Sequence, residues 1–423
     1  MAMRFDLFFS ALPAFVLALV GCLATEAASA QPATLLRVEF EFSNPGARSL
    51  AFGGAFAALA DDATAAYANP AGLGQLIEPE LSLELRSWQR SVPFLEGGRV
   101  DGEPTGQGLD VEPSPLEGRA RDKTTDVSFA SYVHPRGRWS FGLYYHQLAR
   151  FEVETEAQGQ FFEIVPGATA RFPATRERLD LDITTLGLSA CWNLDDHWSV
   201  GLGVAWLEGG GVAQTELYFP FLTGGQDLFS PVSFTPDELD ARFDATIDTT
   251  DLALRFGLRW QPNDRWAAAA VFRQGARLEG LLTRASVRED AVSADTVPTA
   301  IEVPSVWGLG ISRRALDGRL TIAFEFDRSD AGPLFEVEPD DEASFSAEEY
   351  HFGAEYAFVV GRRLFALRGG VWHDSRPRGL LDDSGTWHTA LGVGLAGKVV
   401  QFDIGVDFSD FVDTYAISTV YRF

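Results

Sequence analysis

The sequence predicts an all-β chain: a transmembrane antiparallel β-barrel of about fourteen strands, with a small N-terminal helical hatch plugging the lumen. Three observations predict it. Segments of roughly ten residues alternate apolar and polar with period two, again and again along the chain. Short and long connections between them alternate. The chain ends in an alternating aromatic strand whose last residue is Phe423.

The N-terminus comes first. Arg4, an apolar run over 7–20 and the small residues Ala28, Ser29 and Ala30 are laid out as a secretory signal, giving a boundary at 1–30. A competing reading takes Leu19, Val20, Gly21 and Cys22 as a lipobox with Cys22 lipidated; the sequence leaves both open. Cys191 is the other cysteine, so no disulfide and no cysteine metal cluster are expected. No later apolar run reaches the roughly 20 residues a membrane helix needs. An exported chain of this kind is periplasmic, secreted or an outer-membrane barrel. A net charge of −26 excludes nucleic acid as a partner.

Residues 31–79 form the expected hatch. They are mostly small, and a barrel of this size encloses a lumen that must be filled or must conduct. Asp61 and Asp62 are placed to cap a short helix over 63–68. Pro70 cannot continue it, and Asn69, Pro70 and Ala71 mark the turn that follows. Gly53 and Gly54 permit a tight turn and close approach of backbone. A phosphate-binding loop is excluded, because G-K-[ST] is missing and no βαβ pattern surrounds the stretch.

Residues 80–423 form the expected barrel. Trp198, Val200, Leu202, Val204 and Trp206 share one face, with aromatics at both ends and aliphatics between. That is the profile of a strand crossing a bilayer between two aromatic girdles. Leu252 to Trp260 and Val400 to Phe408 repeat it. Strands are expected to start near Leu81, Asp126, Trp139, Leu181, Trp198, Thr250, Trp266, Ser305, Arg319, Tyr350, Arg363, Trp387, Val399 and Asp413. Long loops are expected at 90–124, 151–179, 208–248, 278–302, 330–347 and 375–385, with short turns between. Short turns face the periplasm in such barrels, which places both termini there. In the third strand, Trp139, Phe141, Leu143 and Tyr145 face lipid, and Gln147 follows on that face before Ala149, Phe151 and Val153. Gln147 sits either in the headgroup zone or at a kink where the wall opens. Gly142 and Gln147 are the candidate residues for such a lateral opening.

No catalytic set is visible. The six histidines form no H-E-x-x-H and no G-x-S-x-G elbow exists. His373, Asp374 and Ser375 are sequence neighbours, but neighbours in a strand point to opposite faces. The chain is therefore expected not to be an enzyme, and to have no cofactor and no metal site. Parity puts Glu84, Arg86, Arg255, Arg259, Arg273, Glu325, Asp327, Glu355, Arg368, Asp403 and Asp407 in the lumen. Most read as a hydrated, paired-charge interior. Arg86, Arg255, Arg273 and Arg368 are candidates to receive a substrate carboxylate, for which the planar guanidinium is suited. The acidic loop 336–349 reads as solvated acid, with cation binding near lipopolysaccharide as the alternative.

The stretch GARSLAFGGAFAALADDATAAYANPAGL, residues 46–73, resembles the N-terminal hatch of the FadL-type family of outer-membrane transporters for long-chain fatty acids and aromatic hydrocarbons. VPSVWGLGISRRALDGRLTIAFEF at 303–326 and RGGVWHDSRP at 368–377 agree with it. The resemblance implies a fourteen-stranded barrel with a hatch, passive uptake of hydrophobic molecules and their sideways release through an opening in the third strand. The implied partners are outer-membrane lipid and lipopolysaccharide, a hydrophobic small-molecule ligand and, through the strand ending at Phe423, the barrel assembly machinery. The chain reads as a monomer in the outer membrane of a Gram-negative-type cell. The alternative is a non-transporting outer-membrane barrel that serves as partner or scaffold of a secretion or envelope complex. A hatch argues against a general porin.

Overall fold

A computed structural model describes residues 43–219, 227–286, 293–331, 335–336, 345–376 and 384–423. The expected signal at 1–30 with Cys22, hatch residues 31–42, and most of the acidic loop 336–349 lie outside the described residues.

Fourteen antiparallel strands are found among the described residues. They are β1 (Glu80–Gly98), β2 (Pro115–Arg136), β3 (Trp139–Ala157), β4 (Ala174–Asn193), β5 (Trp198–Tyr218) and β6 (Leu239–Asn263). Next come β7 (Trp266–Arg273, continued by Ala276–Ser286) and β8 (Ser293–Val303, continued by Val306–Ala315). The rest are β9 (Leu320–Ala331), β10 (Phe345–Val360), β11 (Arg363–Asp374), β12 (Thr386–Ala396), β13 (Val400–Phe408) and β14 (Val412–Arg422). The first and last strands pair from Glu80↔Arg422 to Arg90↔Val412, so the barrel closes. The amide of Phe423 donates to the carbonyl of Pro79 at 3.1 Å, and its ring meets Tyr132 and Tyr421.

Alternation explains the wall. Trp198, Leu202, Val204, Trp206, Leu254, Phe256, Phe402 and Ile404 are exposed on the outside, while their sequence neighbours are turned inward. Trp139 stacks on Trp192, and Trp198 on Trp260, each pair 5.7 Å apart, forming part of an aromatic girdle beside the short turns.

The expected long loops are corrected in one respect. Much of 90–124, 151–179 and 208–248 is strand, because β1 runs on to Gly98, β2 starts at Pro115, β3 reaches Ala157 and β5 reaches Tyr218. Period two continues there, but the outward residues turn charged or polar: Arg119, Arg121 and Lys123 on β2, Glu152 and Glu154 on β3, Arg178 and Asp180 on β4. An outward charge is incompatible with hydrocarbon, so these ends stand clear of the bilayer. A lipid-facing template stops at the membrane although the strand does not.

The hatch fills the lumen. It comprises α1 (Ala47–Ala51), α2 (Ala65–Ala68) and a 3-10 turn (Pro70–Gln75). Asn69 accepts from Ala71 N at 3.0 Å, and Pro70 occupies the first position of that turn, where its missing N–H costs nothing. Asp62 acts just ahead of α2, accepting from Thr64 N at 2.9 Å, whereas Asp61 pairs with Arg48 at 2.5 Å. α1 packs on β11 to β14 and the 3-10 turn on β4 to β6. Nearly every hatch side chain is buried, including Phe52, Phe56, Tyr67 and Leu73.

Candidate functional site

Inward glycines of the wall let hatch backbone come close. A Cβ on Gly201 would stand 2.3 Å from Ala71 N, and one on Gly257 would stand 2.2 Å from Asn69 Oδ1. Around the hatch turn, Gly353 and Gly370 lie equally close to the backbone of Phe52 and Gly53. At the turn itself Gly53 and Gly54 have φ of +63° and +81°, where a side chain would be strained. Wall side chains then satisfy the hatch's backbone groups. Glu325 Oε2 accepts from Phe56 N at 2.6 Å and Ala57 N at 2.7 Å. Ser131 donates to Ala63 O, Ser189 to Ala66 O and Ser199 to Ala71 O, all within 2.9 Å. Glu84 accepts from Gly46 N.

The eleven charged residues placed in the lumen by parity are all buried there. The four candidate arginines differ in what holds them. Arg368 is bound by Glu355 at 2.6 Å and by Asp403 at 2.7 Å. Arg86 is bound by Glu84 at 2.5 Å and donates to Ser43 and Asn44 of the hatch. Arg273 donates to Asn44 Oδ1 at 3.0 Å. Arg255 forms no ion pair among the described residues, and its Nε and Nη1 are buried without a hydrogen-bond partner. Its guanidinium lies over the hatch ring of Tyr67, 4.2 Å from the centroid. Such stacking holds the cation in place yet leaves its donors for another group.

Tyr67 also meets the rings of His146, at 4.2 Å, and Tyr144, at 5.8 Å. His146 Nδ1 is likewise buried without a partner. Neither of these two β3 residues carries a fixed charge, so charge parity in the sequence does not point to them. Their inward parity and polar tips are the signal that could have found them.

Above this cluster the wall changes. The β2–β3 ladder runs from Arg136↔Trp139 to Phe129↔His146 and ends there, although both strands continue. A register shift between β1 and β2 falls at Ser128, and one between β3 and β4 at Leu148. Each bulge inserts one residue and reverses which side faces out. The expectation for β3 is corrected accordingly: Phe151 and Val153 point inward and are buried, and Arg150, Glu152 and Glu154 point outward. Gln147 does not face hydrocarbon. It is buried, and its Nε2 donates to Ala149 O at 3.0 Å and Asp182 Oδ1 at 2.7 Å, so it satisfies a carbonyl beside the bulge. Gly142 lies inside the paired part, opposite Val133, with Ala66 of the hatch against it.

Beyond the last rung, side chains replace the ladder. Arg90 of β1 donates to Arg150 O at 3.0 Å and lies over Phe151, and Arg150 pairs with Asp126 of β2 at 3.1 Å. A small pocket at this seam is lined by Ser43 of the hatch and by Arg90, His146, Gln147, Leu148 and Phe151. Phe151, Leu181, Ile183, Leu207, Leu278 and Ile301 continue inward as one apolar cluster in the half of the lumen away from the short turns.

Fold and site together define a class: a transmembrane barrel of fourteen strands, closed by an N-terminal hatch, with an interrupted wall beside β3. No protein-family model matches the sequence, and no curated protein does. Solved structures do. A Pseudomonas aeruginosa FadL homologue is 15% identical over 92% of this chain and 99% of its own, with a TM-score of 0.65. The Pseudomonas putida toluene transporter TodX is 14% identical over 90% and 99%, with a TM-score of 0.62. The monoaromatic hydrocarbon channel CymD is 17% identical over 91% and 99%, with a TM-score of 0.56. The chain has the FadL-type fold from hatch to terminal strand.

Proposed function

We propose that this protein is an outer-membrane channel for passive uptake of hydrophobic small molecules, long-chain fatty acids or hydrocarbons, with lateral release through the wall between β2 and β3. The observation that carries the reading is the end of the β2–β3 ladder at Phe129↔His146. There the β3 carbonyl of Arg150 is held by the Arg90 side chain instead of by β2, and the apolar cluster leads to the seam from the outer half of the lumen. A hydrophobic ligand entering from outside dissolves among Leu181, Leu207 and Leu278 and meets the hatch at Tyr67. It then leaves sideways into the membrane without crossing water, which the hydrophobic effect favours. Arg255 is the group best placed to hold a carboxylate head on the way. The hydrocarbon and toluene channels of the same fold support the substrate class.

The same reading makes 1–30 a cleaved signal, puts both termini in the periplasm and assigns Phe423 to recognition by the barrel assembly machinery. Uptake of labelled oleate and toluene by cells with and without the gene tests it. Equal uptake of both would end the transport reading in favour of a scaffold role in an envelope complex.

A further inference from the structure

Asp327 on β9 and Glu349 on β10 are direct cross-strand partners, and both point into the lumen. Like charges directly opposite each other repel, the more so when buried. His351 follows two residues after Glu349 on the same face. One donor atom from each of the three lies within 4.8 Å of the others. Asp327 and His351 are at least nine-tenths buried and the Glu349 side chain nearly so; Asp327 Oδ1 has no hydrogen-bond partner, and His351 Nε2 faces Glu349 Oε2 at 3.3 Å.

The surroundings orient these donors. His351 Nδ1 lies 2.8 Å from the carbonyl of Gly53, in the hatch turn. A carbonyl only accepts, so Nδ1 carries a proton, and Nε2, 3.3 Å from Glu349 Oε2, is the nitrogen turned toward the carboxylates and the one that would give up its proton to an ion. Arg376 donates to Glu349 Oε1 at 2.8 Å, which leaves Oε2 turned toward His351. An outer partner on the ligating histidine and another on the carboxylate are what metal sites use to fix their ligands. A cavity of about 30 Å³ adjoins Asp327, Glu349 and His351, enough for an ion or a water.

We propose that Asp327, Glu349 and His351 bind a divalent transition ion of the zinc class inside the barrel wall. One imidazole nitrogen and two carboxylates are ligands this ion accepts, with the fourth position open to water. The ion neutralises the facing carboxylates and fixes His351 against Gly53. It thereby ties the hatch to β9 and β10. This site lies apart from the β2–β3 seam and stands independently of the transport reading.

The test uses the full-length protein purified in detergent, stripped with chelator and titrated with Zn2+ and then Co2+. The wild type is expected to bind one ion per chain, with affinity falling at least about tenfold in Asp327→Asn and His351→Ala. Trp372 stacks on His351 at 5.2 Å, so Co2+ should quench tryptophan fluorescence in the wild type and not in Asp327→Asn. Asp327→Asn is nearly isosteric and decides the matter if His351→Ala does not fold. Zinc uptake by the wild type no greater than by Asp327→Asn, or equal quenching in both, overturns the proposal.

Discussion

Phe129 and His146 form the last rung between β2 and β3, and the hatch ring of Tyr67 lies 4.2 Å from His146. The end of the wall and the top of the plug therefore meet at one point. Anything passing the seam must touch both. Beyond that rung the strands are joined by Arg90 to the carbonyl of Arg150 and by Arg150 to Asp126. Arg150–Asp126 is an exposed ion pair, worth only about 0–1 kcal/mol, so apart from buried Arg90, which also pairs with Asp122 at 2.9 Å, little holds the seam where a ladder would be.

Locking the seam should stop release. A double variant Asp126→Cys with Arg150→Cys, in a Cys191→Ser background, can be joined by oxidation or by a short bis-maleimide. Uptake is expected to fall on cross-linking and, for the disulfide, to return on reduction. Cross-linked cells that transport normally would place the exit elsewhere.

Glu325 holds the hatch through the amides of Phe56 and Ala57. Glu325→Ala leaves two buried N–H groups without an acceptor, at about 1–3 kcal/mol each. The barrel should persist while the hatch loosens, seen as faster hydrogen exchange at 46–73 and higher entry of small polar dyes. Glu325→Gln keeps an oxygen and should restore much of the protection. Dye entry unchanged by either substitution would mean that the plug does not limit permeation.

These particulars show how much was legible in the sequence. Parity alone put Glu325, Arg255 and Arg368 in the lumen, because a strand has only two faces and lipid forbids charge on one of them. Parity fails at Ser128 and Leu148, since a bulge leaves no mark in composition yet reverses every residue after it. The strand ends beyond the membrane look like loops in the sequence, because their outward residues are not apolar. Asp327, Glu349 and His351 come together through the β9–β10 register, which spacing along the chain does not encode. The gap at His146 is set by where pairing stops, again a property of two strands at once.

Gly201 faces the hatch where Ala71 N comes closest. Gly201→Ala forces overlap with Ala71 and Pro70 and should cost about 1–3 kcal/mol, the usual range for overpacking. Hydrogen exchange across 70–75 should rise. Gly210 on β5, where an added Cβ meets nothing within 4 Å and φ is not positive, serves as the control for substitution as such. Equal exchange in both variants would refute close packing at Gly201.

Outside the membrane, Arg99 donates to Asp110 at 2.8 and 2.9 Å, and Thr105 donates through its amide and hydroxyl. Burial pushes the Asp110 carboxyl up, but the bonds from Thr105 and Arg99 outweigh it and hold it below its usual value. A depressed folded-state pKa gives stabilisation that is present above the unfolded value, about 3.9, and is lost as pH falls through the folded one. Protease resistance of 99–114 should thus be flat from about pH 8 to pH 5 with respect to this group. Asp110→Ala leaves Arg99 buried without its carboxylate, at about 3–5 kcal/mol, and should expose the segment at any of these pH values. Persistence of full resistance in Asp110→Ala would count against the pairing.

On the proposed function, Arg255 should separate two substrate classes. Its Nε and Nη1 are buried without partners and its plane rests on Tyr67, so a carboxylate arriving from the apolar cluster finds a cation already oriented. A charge-assisted hydrogen bond is worth about 1.5–3 kcal/mol, which is roughly a tenfold to hundredfold change in affinity. Arg255→Met keeps the length and the contact with Tyr67 and removes the charge. Oleate binding by the purified protein should weaken by that factor, while toluene, which has no head group to hold, should bind as well or better. Arg368→Met is not equivalent, because it strips a cation from Glu355 and Asp403 and acts on the barrel instead of the ligand. If Arg255→Met weakens oleate and toluene alike, the guanidinium shapes the site and does not read the carboxylate. If neither changes, the head group is held elsewhere in the lumen.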